Sequence, residues 1–315
     1  MERTVRIEAG PGKGVEYRVH RAPTARGTIL LLHGMASNLT RWSEFLRQTS
    51  VTASWDVIRM DLRGHGGSIT RERIGMEVWC DDIDAVLERE GGGRTLIAGH
   101  CLGAQLALWY WRRQPHRVRG LILMEPLLAA ALSWRSRTAR AARPLIRGAI
   151  AGARALNRLG LRRSGFVRRD FERFDRDSRA RGLGAFQSLG QVLRYMGPWF
   201  DLQTMPSANY LQDLIEVYRP APDVAAIDIP VLVLISSGRL FSDPDATRQL
   251  FAPVPGARVE TLAANHWILT EQPDQTRRLI EDWCGSLDRY AEQMADQIGH
   301  DRGRGPDQRH PERAP

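Results

Sequence analysis

Cysteine is scarce in this chain: Cys80, Cys101 and Cys284 are the only three in 315 residues. An odd trio cannot supply a disulfide framework, so stability has to come from a buried core, and a reducing cytoplasm is the expected compartment. No window reaches the ~18 uninterrupted apolar residues of a membrane-spanning helix, so none is expected. The opening MERTVRIEAGPGKG has no apolar stretch of the kind a secretory signal requires. No His, Cys and Asp cluster has metal-ligand spacing, and neither a metal nor a cofactor is expected. Lysine is almost missing, with Lys13 alone against 44 arginines. Such a skew reflects coding composition more than function, so the formal net charge of +9 is no argument for a nucleic-acid partner.

The distribution of that charge is informative. Residues 135–181 hold fifteen arginines against Asp170, Glu172, Asp175 and Asp177, while the rest of the chain is close to neutral. Hydrophobic residues make up 43% and charged residues 26%, enough for a sizeable core. Short apolar runs recur along the sequence: TILLLHG at 28–34, WDVIRMD at 55–61, RTLIAG at 94–99, GLILME at 120–125 and VLVLISS at 231–237. A last strand is expected over Arg258 to Leu262. Between them lie segments of helical spacing, at 75–90 with Met76, Trp79, Ile83 and Val86 on one side, from Leu102 to about Arg113, and over roughly 273–284. Strands apolar on both faces that alternate with helices predict a parallel sheet covered by helices.

Residues 127–225 interrupt this rhythm with little β character and with breaks such as Pro144, Gly160, Gly182 and Pro198. Arg140, Arg143, Arg147, Arg154 and Arg158 recur at helical spacing, with Ile146, Ile150, Ala153 and Leu156 on another face, which predicts an amphipathic helix. The expected organisation is therefore a core in two parts, 1–126 and 226–297, around an Arg-rich helical insertion at 127–225. The Pro/Gly-rich stretch 298–315 is expected to be a disordered tail.

Chemistry concentrates at Gly99-His100-Cys101-Leu102-Gly103, between a strand and an apolar helix. In that setting a G-x-nucleophile-x-G segment forms a tight elbow that exposes the central side chain, and the helix dipole that follows favours a thiolate. With this elbow, three further motifs in order resemble the α/β-hydrolase superfamily over nearly all of 15–285. His33-Gly34 is similar to its oxyanion motif, Asp61-Leu62-Arg63-Gly64-His65-Gly66-Gly67-Ser68 to its DxRGxGxS loop, and Asn265-His266-Trp267 to the segment that carries its catalytic histidine. The insertion falls where that family places its cap. The implied fold class is α/β, an α/β-hydrolase fold with an inserted helical cap.

The resemblance implies Cys101 as nucleophile, His266 as base, and an oxyanion hole from the N–H groups of Met35 and Leu102. The family commonly has serine at the elbow and an acid where Gly238 stands here. The acid is then expected to be Glu125, at the end of the earlier strand, with Asp243 the less favoured alternative. Cysteine-elbow members include dienelactone hydrolases, polyhydroxyalkanoate synthases and some thioesterase domains. The expected reaction is hydrolysis of a small-molecule ester or thioester through a covalent acyl-enzyme. Acyl transfer to an amine, alcohol or thiol is the alternative, and non-catalytic ligand binding a further one. Coenzyme A or an acyl-carrier thioester is a candidate donor for the Arg cluster. Leu189, Met196, Trp199 and Phe200 are candidates to line an acyl pocket. Cys80 and Cys284 are expected to be inert core thiols, and His33, His65 and His100 local bracing or pocket-lining groups.

Overall fold

The computed structural model describes residues 2–8, 14–181 and 197–287. Eight strands form one sheet in the order β1-β2-β4-β3-β5-β6-β7-β8. They are β1 (Arg3–Glu8), β2 (Gly14–His20), β3 (Thr28–Leu32), β4 (Asp56–Met60), β5 (Thr95–His100), β6 (Val118–Met124), β7 (Val231–Ser236) and β8 (Ala257–Leu262). From β4 to β8 every neighbouring pair is parallel, whereas β1 and β2 join as an antiparallel hairpin against β4. That hairpin was not among the expected strands. Its faces alternate between polar and apolar, Val5 and Ile7 inward and Arg6 outward, so it lacks the continuous apolar run that marks the central strands.

Alternation along each central strand feeds two separate cores. Leu30, Leu32, Ile97, Leu121 and Val233 pack against the helices α2 (Met76–Arg89) and α3 (Leu102–Arg113), through Trp79, Ile83 and Leu106 among others. Ile29, Leu31, Ala98, Ile122 and Leu234 meet Trp42, Phe45 and the helix at 273–287, through Ile280 and Trp283. Each fully buried Leu or Ile contributes roughly 1.5–3 kcal/mol relative to exposure. This double covering is what fixes the sheet register.

Register places the chemistry. Leu32 pairs with Gly99, Gly99 with Leu123, and Met124 with Leu234, so β3, β5, β6 and β7 end side by side. The residues at or just past these ends, His33-Gly34, Cys101, Glu125 and Ser236, share one carboxyl edge. Between β6 and β7 the chain leaves the sheet for α4 (Trp134–Ala141), α5 (Arg143–Arg158), α6 (Phe171–Ala180) and two further helices, Pro198–Asp201 and Ser207–Val217. Helix α5 packs along Ser207–Val217 with Ile150 buried. Leu156, expected on the same inward face, is 50% exposed and shares the outer side with Leu145 and Leu159. A helix packed chiefly along one neighbour buries one narrow row, and Leu156 stands one position away from it. The expected tail from 298 lies outside the described residues.

Candidate active site

The elbow is built by two glycines. A Cβ on Gly99 would lie 2.2 Å from the carbonyl of Gly103, and a Cβ on Gly103 2.5 Å from the carbonyl oxygen of Leu32. Only glycine lets β5 turn directly into α3 this close to β3. Between them Cys101 adopts φ 53° and ψ −108°, a conformation that costs of order 1–3 kcal/mol and that surrounding contacts must hold. Its N–H donates to the carbonyl of Met124 at 2.9 Å, and its own carbonyl accepts from Ala104 and Gln105. The side chain is 8% exposed at the floor of a cavity of about 150 Å³.

Glu125 takes a second positive φ, 54°, immediately after β6, and its N–H donates to Leu234 at 2.9 Å. That turn aims the buried carboxylate at the histidine: Oε2 lies 2.9 Å from Nδ1 of His266. Oε1 accepts the N–H of Ser236 at the end of β7. Cys101 and the imidazole line the same cavity, close enough for the sulfur to act on the ring electrostatically while the carboxylate bonds it from the other side. Burial works to lower its pKa, but Cys101 and Glu125 outweigh this and push His266 up to about 10. The 265–267 loop is clamped from below by Glu271, whose carboxylate accepts the N–H groups of Asn265, His266 and Trp267 at 3.0–3.1 Å.

Asp243 is engaged elsewhere. It caps the helix Pro244–Phe251, accepting from Asp245 N at 2.9 Å, and pairs with Arg239. The Gly238 position has no room for a side chain, because a Cβ there would meet Cα of Asn265 at 2.8 Å. The carboxylate that reaches the imidazole therefore comes from β6.

Met35 lines the cavity with Cys101, Leu102 opens α3 directly after it, and neither N–H is among the turn and loop backbone hydrogen bonds of the described residues. His33 braces their loop: its Nδ1–H donates to the Gly34 carbonyl at 2.8 Å while Nε2 accepts from Leu62 N at 3.1 Å. Complete burial, with His65 beside it, holds this ring neutral, well below the usual histidine range. His100 donates from Nε2 to the His266 carbonyl at 3.0 Å and lines the cavity; burial and the neighbouring His266 push it down to about 3. Cys80 and Cys284 are buried thiols that desolvation pushes up to about 12.

A sequence profile of the alpha/beta hydrolase fold matches residues 27–273, well over half of the chain. The chain belongs to the α/β-hydrolase-fold family. It is 32% identical over 120 residues to a 2-hydroxy-6-oxononadienedioate/2-hydroxy-6-oxononatrienedioate hydrolase of Burkholderia vietnamiensis, covering 35% of this chain and 41% of that protein. It is 28% identical over 109 residues to protein phosphatase methylesterase 1 of Bos taurus, covering 33% and 28%. The matched part thus spans less than half of either relative's length. Among solved structures, a thermophilic esterase from Thermogutta terrifontis superposes with a TM-score of 0.64 at 20% identity, over 90% of this chain and 99% of that one. A hydrolase from Pseudomonas aeruginosa does so with a TM-score of 0.62 at 19% identity, over 90% and 98%.

Within this α/β-hydrolase fold, the cavity wall opposite Cys101 comes from the inserted helices: Phe171, Phe174, Phe200, Tyr210 and Val217. Of the residues expected to line it, Phe200 does, whereas Trp199 is 83% exposed and Leu189 and Met196 lie outside the described residues. Two charged lining residues, Arg41 and Asp201, were not foreseen. Arg41 is held by Asp175 and by Thr270 at 3.1 Å, and burial pushes Asp201 up to about 7 against the pull of Arg169. His65 also has an unforeseen partner: its Nε2 lies 2.6 Å from Oδ2 of Asp213, and the same oxygen takes the N–H of Ala36 at 3.5 Å. No local signal joins these pairs, since Asp213 follows His65 by 148 residues.

Proposed function

We propose that this protein is an acyl hydrolase with a Cys101–His266–Glu125 triad that acts on an ester or thioester through a covalent acyl-enzyme. The observation that carries the reading is that the buried Glu125 carboxylate bonds Nδ1 of a His266 ring that lines the same cavity as the strained elbow residue Cys101. His266 accepts the thiol proton, and Glu125 fixes the ring so that Nδ1 carries the shared hydrogen bond. Sγ attacks the acyl carbon, and the oxyanion lies between the N–H groups of Met35 and Leu102, each such donor worth about 3 kcal/mol. Collapse breaks the bond to the alcohol or thiol leaving group, which takes its proton from His266 and leaves a thioester on Cys101. Water, losing a proton to His266, then attacks this thioester; the carboxylic acid departs and the sulfur is restored. A thioester intermediate also reacts readily with amines and thiols, so acyl transfer, from coenzyme A or a carrier-borne donor among others, is the second reading. Non-catalytic binding is disfavoured by the contact between Glu125 and His266, because an idle thiol needs no oriented base.

Intact-mass spectra after mixing with a panel of acyl thioesters and activated esters test this. The expected result is an acyl adduct on the wild-type protein that is absent from Cys101→Ala. Decay at one rate with or without added amine or thiol would favour hydrolysis, and faster decay with them transfer. A panel that leaves no adduct and undergoes no turnover would overturn the catalytic reading.

A further inference from the structure

Helix Ser207–Val217 has two working faces. Tyr210, Leu214 and Val217 wall the catalytic cavity, while Gln212, Ile215 and Glu216 turn to a separate groove of about 590 Å³ along α5. The two recesses share no lining residue. Five arginines face the groove: Arg73 from the loop before α2, Arg143, Arg147 and Arg154 from α5, and Arg219. Its two carboxylates are already engaged. Arg219 bonds Glu77 at 3.0 Å and Glu216 at 3.3 Å, and Gln212 donates to the other oxygen of Glu216 at 2.9 Å.

That leaves Arg73, Arg143, Arg147 and Arg154 without a carboxylate in bonding contact among the described residues. Nε of Arg143 and Nη2 of Arg154 are buried with no hydrogen-bond partner. Burial, and then the adjacent Arg147, pulls Arg143 down from the ordinary guanidinium range despite Glu216. Burial with Arg73 and Arg158 does the same to Arg154 despite Glu72. Folding has thus gathered like charges around a concavity and left two of their guanidinium nitrogens buried without a hydrogen-bond partner. Guanidinium forks match the tetrahedral oxygens of phosphate in two-point contacts, and several converging forks favour a ligand with more than one negative charge.

We propose that this groove is a binding site for a phosphate-bearing anion of two or more charges, held by Arg73, Arg143, Arg147 and Arg154. The site is independent of the acyl chemistry. The phosphate belongs either to a soluble ligand or to a lipid headgroup.

Calorimetry of the full chain with inorganic pyrophosphate at low salt, together with sedimentation on phosphatidylcholine vesicles with and without phosphatidic acid, tests the site. Two charge-matched variants are compared: Arg143→Gln/Arg147→Gln/Arg154→Gln in the groove, and Arg135→Gln/Arg162→Gln/Arg176→Gln on exposed positions outside it. The groove variant is expected to weaken binding by about tenfold or more, since it removes three charged hydrogen-bond donors, while the control variant changes it far less. Saturable pyrophosphate binding with this pattern assigns a soluble ligand, and the same pattern confined to phosphatidic acid vesicles assigns a headgroup. Equal losses in both variants, or no binding in either assay, would overturn the proposal. Arg147→Gln alone, at an exposed position, repeats the comparison if the triple variant melts early.

Discussion

Along the carboxyl edge of the sheet the buried charges are tied in pairs: Arg63 to Asp82, His65 to Asp213, His266 to Glu125. In helix α5, by contrast, Arg143, Arg147 and Arg154 face the groove with no carboxylate in bonding contact among the described residues. The exposed large hydrophobics of the described residues, Trp134, Leu145, Leu156, Leu159, Leu161, Val167 and Trp199, also lie in that segment. The first region has its geometry over-determined by close backbone approach and paired charge, which is what holding a strained Cys101 and Glu125 requires. The second keeps unsatisfied donors and apolar surface, which is what recognising something outside the chain requires. One polypeptide thus sets an edge of paired, over-determined charge beside a segment whose donors and apolar surface are left unmet.

The largest effect is expected from the edge itself. Glu125→Gln keeps the shape but removes the charge beside Nδ1, and should slow acylation of Cys101 by an activated ester on the order of 10²–10⁴-fold by intact-mass kinetics. The same variant should move the titration of the His266 ring, followed by NMR, downward from about 10. His266 has its folded pKa raised above the ordinary 6.5. Its charge pairing therefore adds stability fully present below about pH 6.5, and lost as pH rises through about 10. Glu125→Gln should narrow that window from its alkaline side. An unchanged titration would mean that Glu125 is a bystander, and the contrast between the two regions would lose its strongest example.

The edge was also the part most legible in the sequence, for a physical reason. Gly99 and Gly103 lie within one turn of Cys101, and β3, β5, β6 and β7 announce themselves as short runs with both faces buried. Glu125 could be read because it ends such a run. What could not be read depends on contacts between distant segments: Asp213 against His65, Arg41 against Asp175, and Glu271 under the His266 loop. The β1–β2 hairpin escaped because its apolar signal alternates, and Leu156 because which row of α5 turns inward is decided by the helix it meets.

A smaller effect, on stability rather than rate, is expected at Asp82. Asp82 is completely buried and Arg63 nearly so, hydrogen-bonded through Nε at 3.0 Å and through a second contact. Asp82→Ala leaves a buried guanidinium without its counter-charge and should destabilise the fold by about 3–5 kcal/mol, read as a lower denaturant midpoint. Loss of under 1 kcal/mol would show that water reaches Arg63, and that the edge is less closed than the helices above it.

The smallest effect belongs to the inserted segment and completes the comparison. Arg173 and Asp177 stand one turn apart on α6 at 3.8 Å, with side chains 74% and 47% exposed. Water solvates both ions whether or not they meet, and holding two long side chains together opposes the weak attraction. Asp177→Ala should therefore change stability by only about 0.3–0.5 kcal/mol, and raising the salt to 1 M should erase even that difference. Asp82 and Asp177 carry the same carboxylate against the same guanidinium, so the ratio of the two losses measures what burial and a close two-point contact add to it. A loss at Asp177 approaching that at Asp82 would mean that α6 is covered in solution, and that the charged surface of the insert is already occupied.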